Sequence, residues 1–439
     1  MRYRMRIGLV LTCAGMSAAL ALAQSAPPGQ LSASPARLTL DDVRRIALQN
    51  HPQIRAAQSA ADAATQVTVE TKSAYYPNLY GSLTGAAADP GSRIAAGALN
   101  NPTVFNRFAT GVAVDQLITD FGRTSNLVAS SRLQAQAAQT GVTFSQAEVL
   151  LQADRAFYSA LRAQAVLTVA QQTVQERQTV SDQITTLAKN NLKSGLDVSF
   201  ANVNLEQARL LLVQAQNDAR ASLALLSEAL GYNGPRQFEL VEPAEAQTEL
   251  PALQDVLTEA ERDRPEIVAQ KLQVQSAERF ATAERDLLLP TISLAGVAGE
   301  VPFRQPEIQQ NYAAAGFNVN VPIFNGKLFS ARHAEAEDRA RQAAASLTDQ
   351  ENQVARDVQF AWLAAQTASQ NLTLTAELLA TANEALDLAQ ARYNLGLGAI
   401  VELSQAQLNQ AQAAIAQASA KYDYATRLAE LAYQEGALR

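Results

Sequence analysis

The sequence predicts a mainly α-helical fold with a small antiparallel β part, arranged as two tandem repeats of helix, β-hairpin and long helical hairpin. Three observations predict it: landmarks that recur at a nearly constant offset, a very long helical stretch in each copy, and two short segments of period-two alternation in each copy. Asp42-Val43, Pro52-Gln53-Ile54 and Tyr76-Pro77 are matched 213 residues later by Asp255-Val256, Pro265-Glu266-Ile267 and Leu289-Pro290. Gly111-Val112-Ala113-Val114 answers Gly316-Phe317-Asn318-Val319, and Leu205-Glu206-Gln207-Ala208 answers Leu408-Asn409-Gln410-Ala411, so the offset drifts to 205 and then 203. The repeats are expected at 38–231 and 253–436.

Residues 1–23 read as a secretory signal peptide. Arg2, Arg4 and Arg6 precede an apolar run from Ile7 to Leu22, and Ala21-Leu22-Ala23 forms a small-residue cleavage site. Cys13 follows Leu11-Thr12, a poor lipid-attachment box, so cleavage after Ala23 is expected. The mature chain then has no cysteine for disulfides or thiol-bound metal, and losing three arginines takes its net charge from −7 to −10. That charge argues against nucleic acid as a partner. No other segment reaches the roughly 18–20 apolar residues of a membrane-spanning helix. The exported chain is therefore periplasmic unless it spans a membrane with strands. Residues 24–37 are expected to be an N-terminal linker.

Each copy opens with a helix, about 39–75 and about 252–287, with His51-Pro52 marking a bend in the first. Thr39 with Asp42 is an approximate helix start. Both helices run into a proline, Pro77 or Pro290, where helical geometry must end. Strands are predicted at about 78–87, 108–118, 290–299 and 313–323. Leu79, Leu83, Val112, Val114, Ile292, Leu294, Phe317 and Val319 alternate there with polar or small residues. This pattern suits either a half-buried hairpin or a barrel wall with lipid outside and water inside. The stretches 89–106 and about 299–311, rich in Gly, Pro and Asn, are expected to be exposed loops.

Very long helices follow, about 123–190 and about 327–393, each ~100 Å at ~1.5 Å per residue. The second carries an unbroken heptad seam from Val354 to Tyr393, with Ala at many positions. Gly195 breaks one helix and Gly396 with Gly398 the other, and a helix then returns. In the last helix the predicted seam includes Val401, Ser404, Leu408, Ala411, Tyr422 and Ala429. Residues 232–252 read as an inter-repeat linker with one short strand around Phe238-Glu239-Leu240.

Catalytic and metal chemistry find no foothold. His51 and His333 lack a ligand partner at helical spacing, so neither a metal nor a cofactor is expected. Trp362 falls beside the heptad seam as a packing residue. No phosphate-binding loop, dinucleotide fingerprint, nucleophile elbow or zinc-protease motif occurs, so an enzyme is not expected. Four strands cannot close a transmembrane barrel, because single chains need about eight. Two readings stay open at this point: several protomers sharing one barrel continued by a helical tube, or a soluble periplasmic coiled-coil scaffold or adaptor rod.

Beyond the signal peptide, nearly the whole chain resembles the TolC-type outer-membrane efflux proteins. The duplicated layout carries the resemblance, with Val321-Pro322-Ile323-Phe324-Asn325-Gly326-Lys327 at the strand-to-helix join and Arg392-Tyr393-Asn394-Leu395-Gly396 at the second tip. Gly195-Leu196-Asp197-Val198-Ser199-Phe200 is similar to the family's first tip. The resemblance implies a homotrimer whose twelve strands form one β-barrel in outer-membrane lipid, continued by an α-helical barrel through the periplasm. It also implies a passive exit duct for tripartite efflux or type I secretion. Its implied partners are a periplasmic adaptor (membrane-fusion) protein and an inner-membrane pump of RND, ABC or MFS type.

By the same resemblance, Tyr393, Gly396, Glu402, Gln405 and Asp197 fall at the periplasmic aperture. Gly398 stands where some members have an arginine that locks the aperture, and Gln405 where they have a second acid. Ser194, Gly195, Leu196, Leu397 and Gly398 form the tips expected to dock the adaptor. Glu402 has two readings: a carboxylate facing the pore, which threefold symmetry makes a cation-attracting ring, or a solvated residue early in the returning helix.

Overall fold

The computed structural model describes residues 36–89, 91–93, 103–243 and 250–438. The signal-peptide reading at 1–23 and most of the 24–37 linker lie outside the described residues. The chain is mainly helical with a small antiparallel sheet, and its two halves repeat the same elements. The first half contains β1 (Ala36–Leu38), α1 (Leu40–Asn50), α2 (Pro52–Lys72), β2 (Asn78–Ala86), β3 (Arg107–Thr119), α3 (Arg123–Lys189) and α4 (Gly195–Ala229). The second contains β4 (Phe238–Leu240), α5 (Leu253–Asp263), α6 (Pro265–Arg285), β5 (Thr291–Arg304), β6 (Asn311–Asn320), α7 (Leu328–Asn394) and α8 (Ile400–Glu435). The repeat is close in length: α1 and α5 have 11 residues each, α2 and α6 have 21, and α3 and α7 have 67.

The opening helix of each half is two helices rather than one. Pro52 sits at the first position of α2, with His51 extended before it, and Pro265 does the same for α6 after Arg264. A proline at that position lacks only a donor the helix end would leave unpaired. His51 accepts the Gln53 N–H through Nδ1 at 3.3 Å, so it caps a helix. Thr39 and Asp42 form a complete capping box at the start of α1.

The two expected linkers meet. β1 pairs in parallel with β4, Arg37 opposite Glu239, and so ties the start of the first repeat to the segment between the repeats. Beside this pair Val43, Ala47, Val149, Ala153, Phe157, Leu226 and Leu230 form one fully enclosed cluster. A second cluster joins Val256, Ala260 and Ile267 to Val354, Val358 and Ala365 of the predicted seam, with Trp362 packed against it and donating to the Pro251 carbonyl at 2.9 Å. Asp154, fully buried on α3, takes two hydrogen bonds from Arg44 of α1, at 2.8 and 2.6 Å.

The four main strands make one antiparallel sheet in the order β2-β3-β5-β6. β5 continues to Arg304 through a segment expected to be loop, because Phe303 and Arg304 still pair with Phe108 and Arg107. β6 stops at Asn320, ahead of Pro322, which has no N–H to give a ladder. In α8 the predicted seam holds at Ala411, Tyr422 and Ala429 but fails near the tip. There Ile400, Leu403, Ala406 and Gln407 are buried, while Val401 and Leu408 are exposed. α8 packs on both α7 and α3, which widens and rotates its buried face beyond a two-helix seam.

Candidate functional site

Two places concentrate what the chain can do: the sheet and the hairpin tips. Register assigns each strand residue to a face. One face carries Leu79, Leu83, Val112, Val114, Ile292, Leu294, Phe317 and Val319. The other carries Asn78, Tyr80, Ser82, Thr84, Asp115, Ser293, Asn318 and Asn320. Most of the apolar set is exposed, Phe317 at 78% and Leu83 at 72%, so none of the described helices covers it. On the polar face Tyr80 donates to Asp115 at 3.1 Å. There the ring of Tyr312 lies over Gly299 and Gly111, and its hydroxyl donates to the Thr110 carbonyl at 3.3 Å. A methyl group at Gly111 would sit 2.2 Å from that hydroxyl oxygen, so glycine there makes room for the ring. Among the described residues, β2 and β6 each have one unpaired edge. No helix among the described residues is long and apolar enough to cross a membrane.

At the far end of the long helices, the α3–α4 turn and the α7–α8 turn lie side by side. Ile184 and Ala201 from the first share a cluster with Ala389, Tyr393, Ile400, Leu403 and Ala406 from the second. Asn204 donates to Ser404 across the pair at 2.7 Å. Tyr393 is therefore a core residue of the joined tips, 5% exposed, with its hydroxyl buried and without a hydrogen-bond partner. Lys193 of the first turn places Nζ 3.9 Å from the centre of the Tyr393 ring. Burial, and then the nearby charge of Asp197, push the Tyr393 phenol above its ordinary pKa.

The second turn is shaped by Gly396, whose φ of +74° is left-handed, and by the Leu397 N–H bonding back to the Arg392 carbonyl at 2.9 Å. Arg392 then reaches across the turn, and its Nε meets Glu402 Oε1 at 3.1 Å. Glu402 is thus neither an isolated carboxylate nor simply solvated: it is half of an ion pair. Gly398 packs closely beside that pair: a Cβ there would lie 3.3 Å from both Glu402 Oε2 and Arg392 Cβ. Gln405, one turn on, is exposed and donates to Asn409 at 2.9 Å. In the first turn Ser194 caps α4, and Asp197 accepts from the Ser194 N–H and hydroxyl at 2.9 and 2.8 Å. The Asp197 carboxylate is accordingly engaged by its own helix start. Gly195 has open space around it, while Leu196 and Leu397 are 65% and 69% exposed. Sequence reasoning passed over Leu192 and Leu395, which are equally exposed on the same turns and make each tip apolar. The doubled leucine spacing around each glycine was the available signal.

The chain thus joins a sheet with one apolar and one polar face to two long helical hairpins. The profile of the outer membrane efflux protein family matches residues 43–232 and 256–436, and the chain belongs to that family. It is 23% identical over 411 residues to the outer membrane efflux protein BepC of Brucella suis biovar 1 (strain 1330), covering 93% of this chain and 87% of BepC. Its fold is similar to crystal structures of CusC, with a TM-score of 0.79, 20% identity, and 90% and 92% of the two chains covered. It is also similar to the Campylobacter jejuni CmeC outer membrane channel, with a TM-score of 0.77 at 16% identity, covering 90% of this chain and 85% of CmeC. The open-state MtrE outer membrane channel of Neisseria gonorrhoeae matches with a TM-score of 0.74 at 19% identity, covering 90% and 88%. The chain is therefore an outer membrane efflux protein by family.

Proposed function

We propose that three copies of the chain build one passive duct. The observation that carries this reading is the four-stranded sheet, apolar on one face and polar on the other, with open edges at β2 and β6. In a bilayer each unpaired backbone group costs several kcal/mol, so an open four-stranded sheet must find partners. Pairing β6 of one chain with β2 of the next, three times over, gives twelve strands, with Leu79, Leu83 and Phe317 towards lipid and Tyr80, Asp115 and Tyr312 towards water. The helical hairpins continue the barrel as a tube in the periplasm. Phe360, Leu374 and Leu388 recur at fourteen-residue intervals along α7 and are exposed in the single chain, as are Val203, Leu210 and Val213 on α4. Both stripes suit burial against neighbouring chains. A soluble rod would leave these stripes and the apolar sheet face in water.

The apolar tips at Leu192, Leu196, Leu395 and Leu397, around Ser194, Gly195 and Gly398, dock a periplasmic adaptor coupled to an inner-membrane pump of RND, ABC or MFS type. The ring of Arg392, Glu402 and Gln405 lies at the periplasmic aperture, with Tyr393, Gly396 and Asp197 holding its shape. Residues 1–23 are removed on export, 24–37 and 232–252 connect, and 38–231 and 253–436 are the two repeats. Reconstitution into planar bilayers tests the reading. Stepwise single-channel conductance from outer-membrane fractions supports it, and silent bilayers with protein recovered in the soluble periplasm would refute it.

A further inference from the structure

Charge on the polar face of the sheet is concentrated at one end. By register, Ala86, Arg107 and Arg304 lie across from one another on the face that carries Thr84 and Tyr80. Phe108 and Phe303 lie on the opposite face, as does Glu300, which pairs with Thr110 and through it with Leu83. The register shift sets Val301 and Pro302 against Ala109 alone, so Glu300 and Phe303 keep one face and Arg304 returns to the polar one. Among the described strand residues, the polar face then holds three charged side chains: Arg107 and Arg304 at the end far from the helices, and Asp115 near the other. Along β3 the arginine and the acid are ~26 Å apart at ~3.3 Å per residue. Between them the wall is uncharged, with Ala109, Gly111 and Ala113 on β3 and Ala295, Val297 and Gly299 on β5.

Like charges directly across a strand pair repel, so the two arginines weaken the sheet unless something neutralises them. Among the described residues Arg107 has no hydrogen-bond or ion-pair partner. Arg304 donates through Nε to the Ile308 carbonyl at 3.0 Å and through one terminal nitrogen to that of Val301 at 3.4 Å, which leaves its other terminal nitrogen free. A hollow of about 480 Å³ opens at this end, bordered by both arginines, Asn106, Gln305, Phe108 and Phe303. Asn106 accepts the Ala88 N–H with its side-chain oxygen at 2.6 Å, so its amide nitrogen remains to donate. No carboxylate borders the hollow.

We propose that Arg107 and Arg304 bind multivalent oxyanions at the outer mouth of the duct and make that mouth selective for anions. The inference rests on the three-chain barrel proposed above, in which the polar face lines the lumen and the hairpin ends far from the helices face outwards. Threefold symmetry then sets six guanidinium groups around one opening. Strands ~4.8 Å apart and tilted by ~40° give a twelve-stranded barrel a radius of about 12 Å. Arginine side chains reaching inwards bring each charge within a Debye length of the axis, about 10 Å at 0.1 M salt, so their fields add in the lumen. Guanidinium groups match oxyanion oxygens with paired hydrogen bonds. At the inner end Asp115 already accepts from Tyr80 at 3.1 Å, and its charge opposes anions there. Attraction for anions is therefore confined to the outer end.

Sided block of single channels in planar bilayers tests it, with inorganic tripolyphosphate as the probe. The helical tube cannot cross the bilayer, so a channel added from one chamber inserts barrel first and presents its outer mouth to the far chamber. Tripolyphosphate in the far chamber should block at a concentration about tenfold or more below that needed in the near one, and raising the salt to about 1 M should relieve the block. Arg107→Gln/Arg304→Gln should lose the sidedness, while Arg107→Lys/Arg304→Lys should keep it. The trivalent cation hexaamminecobalt in the far chamber should leave the current unchanged. Equal block from both chambers, sided block that survives in the glutamine double variant, or equal block by the cation would overturn the anion site and leave the channel reading standing. Absence of channels from the wild-type chain would overturn the barrel reading along with it.

Discussion

Glu402→Gln turns a neutral set of charges at the proposed aperture into a net positive one. Arg392 and Glu402 pair at 3.1 Å with 55% and 46% of their side chains exposed, so the pair itself is worth at most ~1 kcal/mol and the fold survives its loss. Each tip carries Lys193 and Arg392 against Asp197 and Glu402, a net charge of zero. Removing one carboxylate leaves +1 per chain, and threefold symmetry makes +3 around one opening. Three unit charges about 10 Å from the axis act on a monovalent ion with roughly 1.2 kcal/mol in water, about an eightfold enrichment of anions. Screening over a Debye length of about 10 Å at 0.1 M salt reduces this to about twofold. Reversal potentials under a KCl gradient, at low and high salt, read the effect in planar bilayers. Glu402→Gln should shift selectivity towards anions and Arg392→Gln towards cations, both shifts fading with salt. Identical reversal potentials for the wild type and both variants would place the pair away from the pore and refute the reasoning.

Three other perturbations follow from the geometry. Arg44→Met strands the fully buried Asp154 and should cost about 3–5 kcal/mol, a Tm loss of several degrees in a chain of this size, and Asp154→Asn in the same background should recover most of it in thermal melts. Burial and a hydrogen bond with Glu259 push Glu435 up to about 7 from an ordinary 4.5, so the folded state keeps a proton that the unfolded chain releases. Stability should therefore be highest below about pH 4.5 for this group and be lost as pH rises towards about 7, and Glu435→Gln should flatten that slope in melts from pH 5 to 8. Leu196→Asp and Leu397→Asp, on exposed tips, should abolish efflux in cells while leaving the amount of protein in the outer membrane unchanged.

What the sequence made legible was periodic or local. The 213-residue offset announced the repeat, heptads announced α7, and alternation divided the sheet residues into two faces, because each of these is a property of neighbouring positions. The parallel pairing of Ala36–Leu38 with Phe238–Leu240 joins segments some 200 residues apart, and three-residue strands carry no period of their own. The partnership of Arg44 with Asp154 was hidden for the same reason. Near the tip, Ile400 and Leu403 replaced Val401 and Leu408 as buried residues because α8 faces two helices, which a two-helix seam does not encode. Glu402 could be singled out from the tip pattern, but its ion pair depends on a glycine turn that folds Arg392 back over it. The place of Tyr393 at the turn follows from its sequence position, while its burial in the core shared by both tips depends on the neighbouring hairpin.

The central claim is that one barrel is shared among three chains, and imaging the detergent-extracted protein by electron microscopy with a mass measurement on the same sample tests it most directly. The account predicts three times the mature chain mass and a hollow, threefold body with ~100 Å of helical tube beyond a single membrane section. A monomeric particle, or a solid rod without a lumen, would contradict it.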